Sequence, residues 1–218
     1  MNRAKESLSS PNHKSQIANR KPQLILASAS PRRAEILKSL GIPFRVSAPD
    51  VSEEMLPGET AESAARRLAR EKAEVASTRH PDAWVLAADT LVFLDGATLG
   101  KPRDDGEAAA MLHRLAGREH GVVTSVHLRR GADAGRGIAE TSRVRFAPMT
   151  EQEILWYVAT GEPRDKAGAY GVQGLGARFI AEIRGSFTNV MGLPARVVYE
   201  LLRSAPDPAL GLLALSSG

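Results

Sequence analysis

Trp84-Val85-Leu86-Ala87-Ala88-Asp89-Thr90-Leu91-Val92-Phe93-Leu94 is the stretch on which the fold turns. Its apolar and β-branched residues read as one long buried strand. Asp95-Gly96 directly after it is a hairpin signal, with a return strand reaching Lys101 before Pro102. Helices flank this hairpin: residues 60–79, rich in Ala, Leu, Glu, Arg and Lys, before it, and residues 105–115 after it. Further toward the N-terminus, residues 23–28 read as a short buried strand and residues 44–48 as a second one. Between them, residues 31–40 carry Ile36, Leu37 and Leu40 at helical spacing and stop at Gly41. Toward the C-terminus, residues 122–129 and 138–146 flank a Gly-rich turn as a second hairpin. Residues 150–160 form a helix with Thr150 as N-cap and Glu153 completing a capping box, residues 178–183 a strand, and Pro194 opens a last helix to about Leu202. Strands interleaved with helices, plus two hairpins, predict an α/β fold with a mixed β-sheet flanked by helices.

At 218 residues the chain has room for one sizeable domain, read as residues 22–203 between a polar, aperiodic N-terminal tail (1–21) expected to be mobile and a C-terminal tail (204–218). Hydrophobic residues at 43% and charged residues at 25% suit a globular protein that buries a core. The absence of cysteine removes thiol nucleophiles, disulfides and cysteine-ligated zinc. Residues 1–21 contain no apolar stretch of signal-peptide length, and residues 83–94 are broken by Asp89 and too short for a membrane span, so the expectation is a cytoplasmic protein that does not engage membrane. A net charge of +4 admits either nucleic acid or a small polyanion. The cations are scattered and aromatics are 5%, a poor stacking platform, which disfavours nucleic acid as a partner.

Four local patterns carry chemistry. In Ser28-Ala29-Ser30-Pro31-Arg32-Arg33 a strand runs into a helix with Ser30 as N-cap and Pro31 as first helical residue. Arg33 then occupies the position where a capping box wants Glu or Gln, and cations in a first turn oppose the helix dipole by roughly 0.3–1 kcal/mol each. That cost is explained if an anion binds there, cradled by free N–H groups, two guanidiniums and two hydroxyls, although an exposed arginine pair on an ordinary helix has the same pattern. Asp89, in so apolar a strand, needs a cation or several hydrogen bonds, with a metal or a lysine as partner, unless it merely ends the strand and caps a turn. A two-residue loop at 95–96 sets Lys101 opposite Thr90, and a three-residue loop sets it opposite Leu91 on the face of Asp89; both registers stay open. Lys72 falls on the apolar stripe of its helix, where it either snorkels or reaches a buried anion. Glu53 and Glu54 read as surface charges by pattern. The Gly-rich run from Gly168 to Gly176 lets backbone approach a ligand closely, with Lys166, Tyr170 and Gln173 offering a charge, a stacking face and a two-sided amide. It is neither a Walker A loop nor a Rossmann fingerprint. His113, His120 and His127, though seven apart, are not expected to share a face.

Together these segments resemble the Maf family of nucleoside triphosphate pyrophosphatases, over roughly residues 24–202. Leu26-Ala27-Ser28-Ala29-Ser30-Pro31-Arg32-Arg33 is similar to that family's opening signature, and residues 68–73, Ala88-Asp89-Thr90, Gly100-Lys101-Pro102-Arg103 and residues 166–174 to its later blocks, in order. The resemblance implies a two-lobed mixed sheet bent around a deep cleft, related to the inosine triphosphate pyrophosphatases, and a homodimer. It implies Asp89 as proton acceptor, Glu53 and Asp89 as carboxylates for a divalent metal (Mg²⁺ or Mn²⁺), and Ser28, Ser30, Arg33, Lys72, Lys101 and Lys166 as the residues that bind the nucleoside triphosphate. At the positions tied to substrate choice, Arg32, Thr90 and Gln173, the chain resembles the dTTP/UTP branch rather than the branch for 7-methyl-GTP. A nucleotide-binding regulator of division and septum formation, without turnover, is the reading from another class.

Overall fold

The computed structural model describes residues 24–205. The expected tail at 1–21 and all but Ser204 and Ala205 of the expected tail at 204–218 lie outside them. Ser204 ends the last helix, and Ala205 packs against the core. The elements run β1 (Leu24–Ala27), α1 (Pro31–Ser39), β2 (Arg45–Val46), α2 (Ala61–Arg79), β3 (Trp84–Leu94), β4 (Ala97–Leu99), α3 (Asp105–Leu115), β5 (Glu119–Arg130), β6 (Arg136–Phe146), α4 (Glu151–Ala159), three short 3₁₀ turns between 162 and 179, β7 (Ile180–Arg184), α5 (Phe187–Met191) and α6 (Ala195–Ser204). Among the described residues no helix is long and apolar enough to cross a membrane.

Seven strands form one mixed sheet in the order β2-β1-β3-β5-β6-β7, with β4 paired to the far end of β3. β1 runs parallel to β2 and β3, and the remaining neighbours are antiparallel. The expected mixed sheet is therefore present, and β3 is its central strand. Its first residues, Trp84 to Ala87, pair with β1, and its last, Val92 to Leu94, pair with β4 on the same edge. Between them, residues 88–91 pair with β5 alone among the described residues. The sheet thus forks along one edge of β3, and Asp89 lies at the fork.

Side-chain alternation along β3 sorts the packing. Odd-numbered residues face α2, where Val85 and Ala87 meet Ala73 and Ala76, and Leu91 and Phe93 meet Ala61 and Ala65. The alanine face of α2 brings its backbone close to the sheet. On the opposite face, Leu86 and Ala88 join the cluster of α1 and α6, while Val92 and Leu94 join the cluster of α3 and α4. Two separate cores on one face of a forked sheet produce two lobes with a cleft between them.

Several boundaries differ from expectation. The second strand shrinks to Arg45–Val46, both exposed at the sheet edge, and the return strand stops at Leu99. The two-residue register holds, Leu94 opposite Ala97, because Asp95 and Gly96 both take positive φ (52° and 80°). The second hairpin extends to residues 119–130 and 136–146. α5, with its buried Asn189, has no counterpart in the sequence reading, because five residues are too few to show a period.

Candidate active site

The cleft at the fork encloses about 370 Å³. Ser28, Ser30, Arg32, Arg33, Glu53, Lys72, Asp89, Thr90, Lys101 and Lys166 all line it. Gln173 does not: the lining includes Tyr170, Gly171 and Val172 and stops short of it. Five cationic side chains against three carboxylates make the wall electropositive.

Lys72 is its centre. It lies on the buried face of α2, 7% exposed, and does not snorkel. Its Nζ is 2.5 Å from Asp89 Oδ1 and 2.5 Å from Glu53 Oε1. Asp89 is in mid-strand, opposite Ser125, so it neither ends β3 nor caps a turn. Glu53 is no free surface charge. Lys101 Nζ donates to its other oxygen at 3.3 Å, so Lys101 meets Glu53 rather than sharing a face with Asp89. Arg67 of α2 anchors the loop that presents Glu53. Its guanidinium binds both oxygens of Glu59 and the carbonyl of Glu54, and together with the Leu56 N–H it holds the Glu59 carboxyl down at about 2. Partial burial favours the neutral form of Glu53, but hydrogen bonds and charge from Lys72 and Lys101 outweigh it and its pKa is lowered.

Thr90, one residue along β3, projects to the other face and meets Arg33. The Arg33 guanidinium donates from Nε to the Gly192 carbonyl at 2.8 Å, from Nη1 to Ser28 Oγ at 3.1 Å and from Nη2 to Thr90 Oγ1 at 3.1 Å. Of its five N–H donors this uses three, leaving two for an anion. Burial lowers the Arg33 pKa, Asp89 and Glu53 pull it back up, and Arg32 adds to the lowering. Ser30 is the N-cap of α1 but its side chain makes no capping bond, and no acidic residue enters the first turn, so the helix N–H groups face the cleft without a local anion. Arg32 reaches Asp165 at 3.4 Å, and Lys166 bonds the same carboxylate at 2.6 Å.

The Gly-rich run departs from expectation. The Tyr170 ring is no stacking face: it is 5% exposed, packed edge-on against Phe146 and His120, with its hydroxyl 2.7 Å from His120 Nε2. The close approach made possible at Gly174 and Gly176 is to the protein itself. A Cβ would fall 2.7 Å from Glu162 Oε2 at Gly174 and 2.5 Å from the Tyr157 hydroxyl at Gly176. His120 and His127 are both buried in β5, an odd number of residues apart and so on opposite faces, while His113 pairs with Glu151 outside the strand.

The family described as Maf-like protein matches residues 23–205. The chain belongs to the Maf-like protein family. Among its relatives, a protein named dTTP/UTP pyrophosphatase from Symbiobacterium thermophilum is 51% identical over 83% of this chain and 92% of its own length. One of the same name from Myxococcus xanthus is 52% identical over 85% and 93%, and one from Thermus thermophilus 48% over 84% and 94%. The solved Ham1 protein of Staphylococcus aureus is similar at 18% identity and a TM-score of 0.45, over 72% of this chain and 79% of that one. In this Maf-like chain, the sequence reading did not find Thr124, Asn189 and Gly192, which support Arg33 and Thr90 from behind. Thr124 Oγ1 lies 3.0 Å from Thr90 Oγ1 and donates to the Asn189 carbonyl at 3.0 Å. Ser186, a good N-cap for α5, was the available signal.

Two carboxylates already converge on one cation here. Hard oxygen donors suit Mg²⁺ or Mn²⁺, and Mg²⁺ commonly takes one or two carboxylates and completes its shell with substrate phosphate and water. Glu53 and Asp89 would be the pair to hold such an ion; among the described residues no cluster of three or more His, Cys, Asp or Glu could do so.

Proposed function

We propose that this Maf-like chain hydrolyses dTTP and UTP to the nucleoside monophosphate and pyrophosphate. The observation that carries the reading is the buried Lys72 ammonium 2.5 Å from both Glu53 and Asp89, at a fork flanked by Arg33, Lys101 and an uncapped helix N-terminus. About half of the residues are shared with relatives named for that activity, over most of both chains.

The triphosphate enters with its charge against Arg33, Lys101 and Lys166, while Ser28, Ser30 and the first N–H groups of α1 hydrogen-bond its oxygens. Asp89 accepts a proton from water as the water oxygen attacks the α-phosphorus. The bond from that phosphorus to the α–β bridging oxygen breaks, and pyrophosphate leaves with the electron pair. Lys72 stays close to Asp89 and Glu53 and limits their mutual repulsion. Glu53 and Asp89 would hold a divalent metal, which would supply Lewis-acid stabilisation of charge on the phosphate oxygens. Selection of thymine or uracil is assigned to Gln173, which lies just past the cleft-lining Val172 and whose amide matches one acceptor and one donor of their imide edge.

The test is a panel of nucleoside triphosphates, 7-methyl-GTP included, with Mg²⁺, Mn²⁺ or neither. Pyrophosphate from dTTP and UTP, dependent on metal, is expected. Orthophosphate as first product, or no turnover of either, sinks the reading, and preference for 7-methyl-GTP moves the chain to the other branch. Asp89→Asn lowers kcat by about 10²–10⁴. A division phenotype rescued in full by that variant would instead favour a regulator without turnover. The same preparations, in light scattering and cell fractionation, test the homodimer and the cytoplasmic location.

A further inference from the structure

Glu162 is not among the residues lining the cleft, yet its carboxylate is committed to one segment beside it. Oε2 accepts from the Leu175 N–H at 2.9 Å, and Oε1 accepts from the Gly176 N–H at 3.0 Å and from the Tyr157 hydroxyl at 2.8 Å. Tyr157, fully buried on α4, accepts in turn from the Gly171 N–H at 3.1 Å. The two side chains therefore grip both ends of residues 171–176. Gln173 lies between the grips in extended backbone (φ −102°, ψ 155°), directly after Gly171 and Val172, which do line the cleft. The Glu162 carbonyl also accepts from Lys166 Nζ at 2.7 Å, tying a cleft cation to the same corner. Glycine at 174 and 176 is what lets the segment come this close. The segment has no ladder bonds to hold its shape, so a carboxylate taking two backbone N–H groups and a hydroxyl replaces them.

We propose that Glu162, acting with Tyr157, is the positioning residue for base recognition: the pair holds residues 171–176 in the shape that presents Gln173 to the pyrimidine. The inference rests on the dTTP/UTP reading and deepens it. Neither residue touches the reacting atoms, so the effect belongs in KM and selectivity rather than in the chemical step.

The experiment compares wild type with Glu162→Gln and Tyr157→Phe, using dTTP, UTP and dGTP, alongside hydrogen exchange of the segment. Gln at 162 turns an NH₂ toward one of the backbone donors, and Phe at 157 removes the acceptor for Gly171. In both variants KM for dTTP and UTP is expected to rise about tenfold with kcat nearly unchanged, the preference over dGTP to fall by a similar factor, and exchange to quicken in residues 171–176 with the sheet still protected. A variant that keeps its pyrimidine KM and preference while exchange quickens overturns the proposal. So does one in which kcat falls equally for every nucleotide, since that is the mark of general loss of fold. A wild type that hydrolyses neither dTTP nor UTP sinks the function reading and the base-recognition role together, whereas unchanged selectivity in an active enzyme sinks the role of Glu162 alone.

Discussion

Lys72 is the residue on which the site's charge balance depends. Its ammonium and the Asp89 carboxylate are both almost wholly removed from water, and a buried ion pair survives only where each charge is matched. Removing one partner of such a pair costs about 3–5 kcal/mol, because the other is left buried and unpaired. Lys72→Met should therefore lower stability by about that amount in metal-free buffer, as read in denaturant or thermal unfolding. Millimolar Mg²⁺ or Mn²⁺ should restore more stability to the variant than it adds to wild type, since Glu53 and Asp89 would then have a vacant cation position to fill. No metal effect on either protein would argue against those two carboxylates as ligands, and an equal effect on both would mean that metal and Lys72 do not compete for them. That Lys72 lies on the apolar stripe of α2 is legible from spacing alone. Whether it snorkels is not, because the answer depends on Glu53, nineteen positions away in sequence, being folded against it.

Elements decide what residues can do. β1 hands the chain to α1 at the fork, so the α1 first turn opens onto the cleft and Arg33 swings back between Ser28, Thr90 and Gly192. A lysine has no planar fork with which to meet three acceptors at fixed angles. Arg33→Lys should cost about ten- to hundredfold in kcat/KM for the pyrimidine triphosphates, the value of one or two hydrogen bonds made by a charged donor. Unchanged kinetics would mean that Arg33 only braces the fold. β5 carries a different consequence. Burial against Phe146 and Tyr170 depresses the His120 pKa to about 4, and His127 is also lowered, chiefly by burial. The unfolded chain takes up a proton near 6.5 that folded His120 refuses until about 4. Stability should therefore fall as pH drops across that window, by roughly 3 kcal/mol from His120 in full, and level off below it. His120→Gln keeps a partner for the Tyr170 hydroxyl and has nothing to titrate, so its unfolding free energy should be flatter between pH 6.5 and 4 than that of wild type. Parallel slopes in the two proteins would assign the acid sensitivity elsewhere.

Across the whole molecule, two cores on one face of the sheet leave the cleft between lobes joined through β3, β5, β6 and α5. A ligand bridging Arg33 on one side and Lys101 or Lys166 on the other ties the lobes together. A non-hydrolysable dTTP analogue with Mg²⁺ at about a hundred times its dissociation constant should stabilise the fold by about 2.7 kcal/mol. That corresponds to several degrees in Tm for a domain of this size, and more than analogue or metal gives alone. No shift with the pair would mean that the folded chain does not bind the nucleotide. Arg66, Arg67 and Arg129 are paired with Glu62, Glu59, Glu71 and Glu74. Local signals by themselves determined the long central strand, its two-residue turn as one of two registers, the capped helices, the anion-ready start of α1 and the oddity of a carboxylate in β3. Those depend on spacing, capping and propensity, which act between near neighbours. Only the tertiary structure decided that the sheet forks at Asp89, that Glu53 and Lys101 join Lys72 there, that Tyr170 belongs to the core, and that the glycines close onto Glu162 rather than onto a ligand. Those contacts join residues far apart in sequence, and packing, not local preference, chooses among them.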